Sequence, residues 1–228
     1  MQIIPVIDIK RGRAVLAKQG DRQNYQALST PLCSSSLVDD VIDAYLSLHP
    51  FPQIYLADLD ALMGTDDNQQ LIHLTAKKYP QLNFIVDSAL LNINNTPNNI
   101  TAVIGTESVD KQQLSLIKQQ AINFILSLDF CAQNQPMGDS SLHHSPHLWP
   151  KKLIIMSLAL VGKKSGPELL KLQHYRQSYP EHDMIAAGGI RGVEDLIQLK
   201  NLGIQQTLVA SALHSGTLKT ADILSICK

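Results

Sequence analysis

The chain opens with an apolar run that ends in a carboxylate, IIPVID at residues 3–8, and a run of the same kind returns as FILSLD at residues 124–129. Continuous apolar runs rich in β-branched residues are typical of parallel strands that are buried on both faces. Parallel strands of an α/β barrel point their carboxyl ends at one rim, so the two runs place Asp8 and Asp129 at the same end of the fold. Two facing carboxyl groups suit proton-transfer chemistry.

Six further apolar runs bring the number of predicted strands to eight. They are IYLA at 54–57, FIV at 84–86, AVI at 102–104, LIIM at 153–156, MIAA at 184–187 and LVA at 208–210. Amphipathic segments alternate with these runs, which is the pattern of βα units. The chain has 228 residues and 44% hydrophobic content, the size of one barrel. We therefore predict an α/β fold, a single (βα)8 TIM-barrel domain over residues 1–228.

Two connections depart from a regular barrel. After Gly12, the run AVLA at 14–17 predicts an extra hairpin inserted behind the first strand. Between the third and fourth strands, the segment NINNTPNN at 92–99 is rich in turn formers and contains a proline that breaks helices. The third helix is therefore predicted to be shortened or missing.

Composition limits the classes of partner. The formal net charge is -1 and the pI is near 6.7, which gives no general attraction to nucleic acid or to an anionic membrane. Three widely spaced cysteines favour free thiols in a reducing compartment, so we expect a cytoplasmic protein. His143, His144 and His147 lack the helical spacing and companion ligands of a metal site. Neither a metal nor a cofactor is expected, and the sequence makes no prediction of oligomeric state.

The ligand motif with the most specific pattern lies near the C-terminus. AAGGIRG at 186–192 follows the seventh strand and VASAL at 209–213 covers the end of the eighth. Glycine and small residues let backbone N–H groups approach an anion closely, and the loops after strands seven and eight often form a phosphate site in such barrels. We predict phosphate binding by Gly188, Gly189, Ala210 and Ser211. The alternative is that the glycines serve only close packing of strand on helix.

These motifs resemble, in order and almost end to end, the histidine-biosynthesis barrel family. The matching segments are IIPVIDI at 3–9, QGD at 19–21, ADLDA at 57–61, VIGT at 103–106, LD at 128–129, GGI at 188–190 and SAL at 211–213. Within the family the chain is nearer to the ProFAR isomerases than to the cyclase that follows them. The resemblance implies an Amadori rearrangement of an aminoaldose to an aminoketose, with Asp8 as general base and Asp129 as general acid.

The sequence also departs from that family. ProFAR isomerases bind a substrate with two phosphates and use a glycine-rich turn after the third strand, where this chain has DSAL at 87–90. At the sixth strand the family's threonine and aspartate align with Met156 and Val161. The sequence thus predicts a ribosyl monophosphate conjugate as a substrate outside histidine biosynthesis. The alternatives are an enzyme of another reaction in cofactor synthesis, such as that of one-carbon pterins, and a non-catalytic barrel that binds a phosphorylated ligand.

Four further residues are candidates for substrate contact. Asp58 follows the second strand and Ser157 ends the sixth. Lys163 precedes a glycine-proline turn at the same rim, and Trp149 lies in the long loop after the fifth strand. For each of them a structural alternative remains open, namely a solvated rim residue or, for the tryptophan, hydrophobic packing.

Overall fold

A closed parallel barrel forms the centre of the protein. The computed structural model describes residues 1–17, 21–89, 96–120, 122–131, 135–163 and 165–227. Its strands are β1 (Gln2–Lys10), β2 (Arg13–Leu16), β3 (Gln26–Ala27), β4 (Gln53–Asp58), β5 (Asn83–Asp87), β6 (Ile100–Gly105), β7 (Phe124–Phe130), β8 (Lys152–Ser157), β9 (Asp183–Ala187) and β10 (Gln206–Val209). The eight strands β1 and β4 to β10 pair in parallel in chain order, and β10 pairs with β1 to close the ring. The predicted TIM barrel and all eight predicted strands are confirmed.

Helices surround the barrel. They are α1 (Val38–Leu48), α2 (Leu59–Leu62), α3 (Gln69–Lys78), α4 (Lys111–Gln119), α5 (Leu169–Ser178), α6 (Val193–Asn201), α7 (Ser211–His214) and α8 (Thr220–Ile226). After β7 the described residues form only two short 3-10 helices, Ser140–His144 and Pro146–Leu148. The prediction of a shortened or missing third helix falls mainly on residues 90–95, which lie outside the described residues.

The apolar core has two layers because each barrel strand is buried on both faces. Inside the barrel, Ile4, Tyr55, Ile85 and Ile125 belong to one cluster of buried side chains. A second and larger cluster joins the outer faces of the strands to the surrounding helices, and Tyr45 of α1 is one of its members. Strand residues alternate between the two clusters, and this alternation determines which side chains at the strand ends point into the barrel.

The predicted hairpin after the first strand is present. β2 pairs antiparallel with β1, with Asp8 opposite Val15, and β3 then pairs antiparallel with β2. This ribbon stands at the rim where the barrel strands end, so Val15 and Leu16 help to wall the space above the barrel. In the described part of the chain, no helix combines the length and the apolar character that a membrane crossing needs.

Candidate active site

A cavity of about 110 Å³ opens where the barrel strands end. Asp8 of β1 and Asp87 of β5 line it, together with the segments that follow β9 and β10. All four residues predicted to bind phosphate are among the lining residues: Gly188, Gly189, Ala210 and Ser211. Lys163, the predicted rim cation, lines it as well.

The two predicted catalytic aspartates belong to opposite walls of the barrel. Starting from β1, the strand β7 is reached after β4, β5 and β6 in one direction and after β10, β9 and β8 in the other. Asp8 and Asp129 therefore face each other across the ring. Their exposure differs: Asp8 is partly exposed and lines the cavity, whereas Asp129 is 3% exposed and is absent from the described residues that line it.

A dense set of hydrogen bonds holds the Asp129 carboxyl group. Ser127 Oγ donates to Oδ1 at 2.6 Å, and Thr106 Oγ1 and the Glu107 backbone N–H donate to Oδ2 at 3.3 Å each. Gly105 leaves room for this group, because a Cβ atom at that position would lie 2.9 Å from Asp129 Oδ2. The carboxyl group is thus fixed in one orientation beneath the segment that follows β6.

Burial gives the acidic groups unusual proton affinities. It raises the pKa of Asp8 from 3.8 to about 7, with Arg22 opposing the shift and the charge of Asp87 adding to it. It raises the pKa of Asp129 to about 8, again with the charge of Asp87 adding to the shift. Two carboxyl groups with pKa values near neutrality can exchange protons with a substrate at physiological pH. The pKa values of both groups are shifted upward, and the roles of base for Asp8 and acid for Asp129 stay predictions.

An ion pair crosses the mouth of the barrel above these groups. Arg22, which follows the inserted β2 strand, contacts Glu107 after β6 through two hydrogen bonds, with Nη2 2.5 Å from Oε1. Arg22 lines the cavity, and Glu107 bonds to Asp129 through its backbone. Sequence reasoning missed both residues, because neither lies in a recognisable motif and their sequence separation hides the contact.

The glycines after β9 are required by packing. Gly188 and Gly189 have φ angles of +103° and +85°, a conformation that side chains disfavour. A Cβ atom on Gly189 would lie 2.2 Å from the carbonyl oxygen of Gly166, and one on Gly188 would lie 2.6 Å from that of Ser157. Close packing therefore explains these glycines whether or not an anion binds. The phosphate site stays a prediction, supported by their position in the cavity wall.

One histidine lies beside this loop without adding charge. His214 of α7 lines the cavity, and burial lowers its pKa to about 4, so the ring is neutral at pH 7. Its Nε2 atom lies 2.7 Å from Tyr45 Oη, which also donates to the Val6 carbonyl oxygen at 2.8 Å. The histidine therefore ties the turn after β10 to β1 and α1. No motif in the sequence indicates this role.

The structure places three of the predicted contact residues away from the cavity lining. Asp58 is fully buried and accepts hydrogen bonds from the Asn68 side chain and backbone, which fixes the loop before α3. Ser157 is buried and accepts from Lys171 Nζ at 3.4 Å. Trp149 donates from Nε1 to the Leu142 carbonyl oxygen and packs against α5. Only Lys163 of the four lines the cavity, and contact with substrate stays a prediction for all of them.

The wall contributed by β8 and the first part of its loop is apolar as far as Val161, and Lys163 follows at the rim. Met156, Leu158 and Val161 all line the cavity. Met156 and Val161 are the two positions where the sequence departs from the family's threonine and aspartate. An apolar wall of this kind suits a flat or hydrophobic part of a ligand better than a charged one.

Comparison with known proteins identifies the relatives of this chain. A sequence model of the histidine biosynthesis protein family matches residues 2–130 and 144–219. An uncharacterized protein of Methanocaldococcus jannaschii is 34% identical over 236 residues, covering 99% of this chain and 98% of its own. A 1-(5-phosphoribosyl)-5-((5-phosphoribosylamino)methylideneamino)imidazole-4-carboxamide isomerase, or ProFAR isomerase, of Clostridium botulinum is 24% identical and covers 99% and 97%. The isomerase of that name from Pyrococcus furiosus is 21% identical and covers 100% and 95%.

Proposed function

The chain belongs to the histidine biosynthesis protein family, and from that premise we propose that it is a sugar-phosphate isomerase acting on a ribosyl monophosphate conjugate outside histidine biosynthesis. An isomerase-like barrel follows from its relatives, the ProFAR isomerases. The substrate and the reaction are our proposal. The single observation that carries it is the pair Asp8 and Asp129, which face each other on opposite strands with pKa values raised to about 7 and about 8.

The proposed reaction converts an aminoaldose phosphate to an aminoketose phosphate. Asp129, which keeps its proton near neutral pH, donates it to the ring oxygen as the C1–O bond breaks and a protonated imine forms. Asp8, ionised in part of the population at pH 7, removes the proton from C2 to give an enol. Return of a proton to C1 and loss of one from the enol oxygen complete an isomerisation without any net oxidation. Both acids end in their starting states after proton exchange with water.

The rest of the cavity supports this assignment by its polarity. The segments after β9 and β10 would bind the phosphate through backbone N–H groups, with Lys163 at the rim as the nearby cation. The apolar wall at Met156 and Val161 would take an aryl part of the conjugate. Asp129 is covered by the segment that carries Glu107, so we infer that this segment shifts when substrate enters. The three widely spaced cysteines of the sequence support a reducing, cytoplasmic location.

Proton exchange at the sugar carbon tests the proposal. The probes are conjugates of ribose phosphate with a panel of primary arylamines, incubated in deuterated water while proton NMR follows the C2–H signal. We expect the protein to accelerate exchange, and Asp8→Asn and Asp129→Asn each to slow it by about 100-fold or more, because each removes one member of the acid–base pair.

Asp66→Asn is the matched control, since Asp66 is an exposed carboxylate in the loop between α2 and α3. This variant should exchange at the wild-type rate. Phosphate binding without exchange of any conjugate would instead identify a non-catalytic barrel. Unchanged exchange in both active-site variants would refute the assigned acid–base pair.

A further inference from the structure

Asp87 is a buried carboxylate that the proposed acid–base chemistry does not use. It ends β5, is 7% exposed and lines the cavity together with Asp8. Tyr55 Oη donates to its Oδ2 at 2.8 Å, while Oδ1 has no hydrogen-bond partner among the described residues. The neighbouring Ser88 Oγ is also buried without a partner in that part of the chain. Buried polar atoms normally have hydrogen-bond partners, so two neighbouring buried atoms without partners require an explanation.

Two other buried aspartates of this rim, Asp58 and Asp129, have hydrogen-bond partners for their carboxylate oxygens. Asp58 accepts from Asn68 and from the Ala61 backbone N–H. Asp129 accepts hydrogen bonds at both oxygens. Asp87 forms no salt bridge within the described residues, because Arg22 makes its two side-chain bonds to Glu107. The buried, unpaired Oδ1 atom of Asp87 is therefore a property of this site and is not shared by Asp58 or Asp129.

The position of Asp87 gives the cavity two unlike ends. From β9 the strand β5 is reached after β10, β1 and β4, so Asp87 stands across the ring from Gly188 and Gly189. The two loops share a backbone feature, since Ala89 has a φ angle of +58° and Gly189 one of +85°. A positive φ is unusual for alanine. One turn carries glycines, whereas the other is preceded by a carboxylate.

We propose that Asp87, oriented by Tyr55, binds a protonated amine of the substrate at the end of the cavity opposite the phosphate. This inference rests on the proposed phosphate end and narrows the substrate class to amino-sugar monophosphates. An ammonium or iminium N–H would supply the donor that Oδ1 lacks, and a charge-assisted bond of this kind is stronger than a neutral one. A second phosphate at the same end would meet a carboxylate instead of backbone donors.

Binding of matched probes tests the inference. Calorimetry measures the affinities of inorganic phosphate, glucosamine phosphate and glucose phosphate, the two sugars being phosphorylated on the terminal carbon and differing in one amine. We expect the wild type to bind glucosamine phosphate about tenfold more tightly than glucose phosphate, the size of one hydrogen bond to a charged group. Asp87→Asn keeps the shape of the side chain and should bring the ratio close to one.

Two more variants separate a local effect from a general one. Tyr55→Phe removes the donor that orients Asp87, so the preference should fall by a smaller factor, while Asp66→Asn removes a rim charge outside the cavity and should leave it unchanged. A ratio near one in the wild type, or a ratio that persists in Asp87→Asn, would refute the amine site while phosphate binding stands. Failure of inorganic phosphate to bind would refute the proposed phosphate end, and the inference would fall with it.

Discussion

At the scale of single residues, the site is defined by carboxyl groups whose burial raises their proton affinity. Asp8 and Asp129 were identifiable in the sequence because each ends an apolar run, and strand ends define the rim of a barrel. The pKa values of these two groups could not be predicted from the sequence. They depend on burial and on the charge of Asp87, which belongs to a third strand. That Oδ1 of Asp87 is buried without a hydrogen-bond partner among the described residues likewise depends on the folded structure.

The raised pKa of Asp129 predicts a stability that falls as pH rises. The folded state keeps a proton up to about pH 8, whereas the unfolded chain loses it near 3.8. The raised pKa lowers the free energy of unfolding. This loss is absent below about pH 4, grows as pH rises from 4 to 8, and is constant above that range. We expect Asp129→Asn to become more stable relative to the wild type by on the order of 4 kcal/mol between pH 5 and pH 8.

Urea unfolding of both proteins at several pH values measures this difference. Asp66→Asn is the control, because it removes an exposed carboxylate that lies between α2 and α3. A difference for Asp129→Asn that stays constant between pH 5 and pH 8 would show that its carboxyl group has an ordinary proton affinity in the folded protein.

At the scale of elements, the turn after β9 combines a strained backbone with close contacts. Gly189 and Gly216 both have positive φ angles, +85° and +69°, but a Cβ on Gly216 would meet no heavy atom within 4 Å. We expect Gly216→Ala to lower the free energy of unfolding by about 1 kcal/mol, the cost of the left-handed conformation alone. Gly189→Ala adds a clash with Gly166, so its loss should exceed that of Gly216→Ala by roughly 1–3 kcal/mol.

Thermal unfolding and phosphate titration of the two variants check the turn. Phosphate affinity should fall in Gly189→Ala and stay at the wild-type value in Gly216→Ala, because only the first turn lines the cavity. Equal losses of stability in the two variants would contradict the role assigned to the contact with Gly166.

The loop after β7 shows how tertiary packing bears on the two interpretations of Trp149. The sequence allows two roles for Trp149: it could stack on the substrate, or it could pack against other parts of the protein. In the structure it is 4% exposed, its ring contacts Tyr175 and Tyr179 of the α5 region, and its N–H bonds to Leu142. The tryptophan therefore anchors the loop to the outer helices, a role that depends on residues distant in the sequence.

At the scale of the whole molecule, the cavity has a proposed phosphate end after β9 and β10 and, across the ring, the carboxylate of Asp87. The names of the ProFAR isomerases describe a substrate with two phosphoribosyl groups. In this chain Asp87 stands opposite the proposed phosphate loops. We therefore expect no growth when the gene is expressed in a histidine auxotroph that lacks ProFAR isomerase, because a second phosphate would be repelled by that carboxylate.

The Clostridium botulinum isomerase supplied on the same vector is the positive control and should restore growth. Soluble expression of the chain in the same cells must be shown by immunoblot. Growth on medium without histidine would contradict the proposal that the substrate lies outside histidine biosynthesis.

The sequence by itself determined the barrel, the eight strands and the rim positions of Asp8, Gly189 and Ser211, because apolar period and turn residues are local properties of the chain. Only the tertiary structure shows which residues at the rim are in contact with one another. The ion pair of Arg22 with Glu107, the bond of Tyr55 to Asp87 and the covering of Asp129 join strands and loops distant in the chain. The proton affinities of the rim aspartates and the polarity of the cavity result from these contacts. Both depend on burial and on charges that closure of the barrel brings close together.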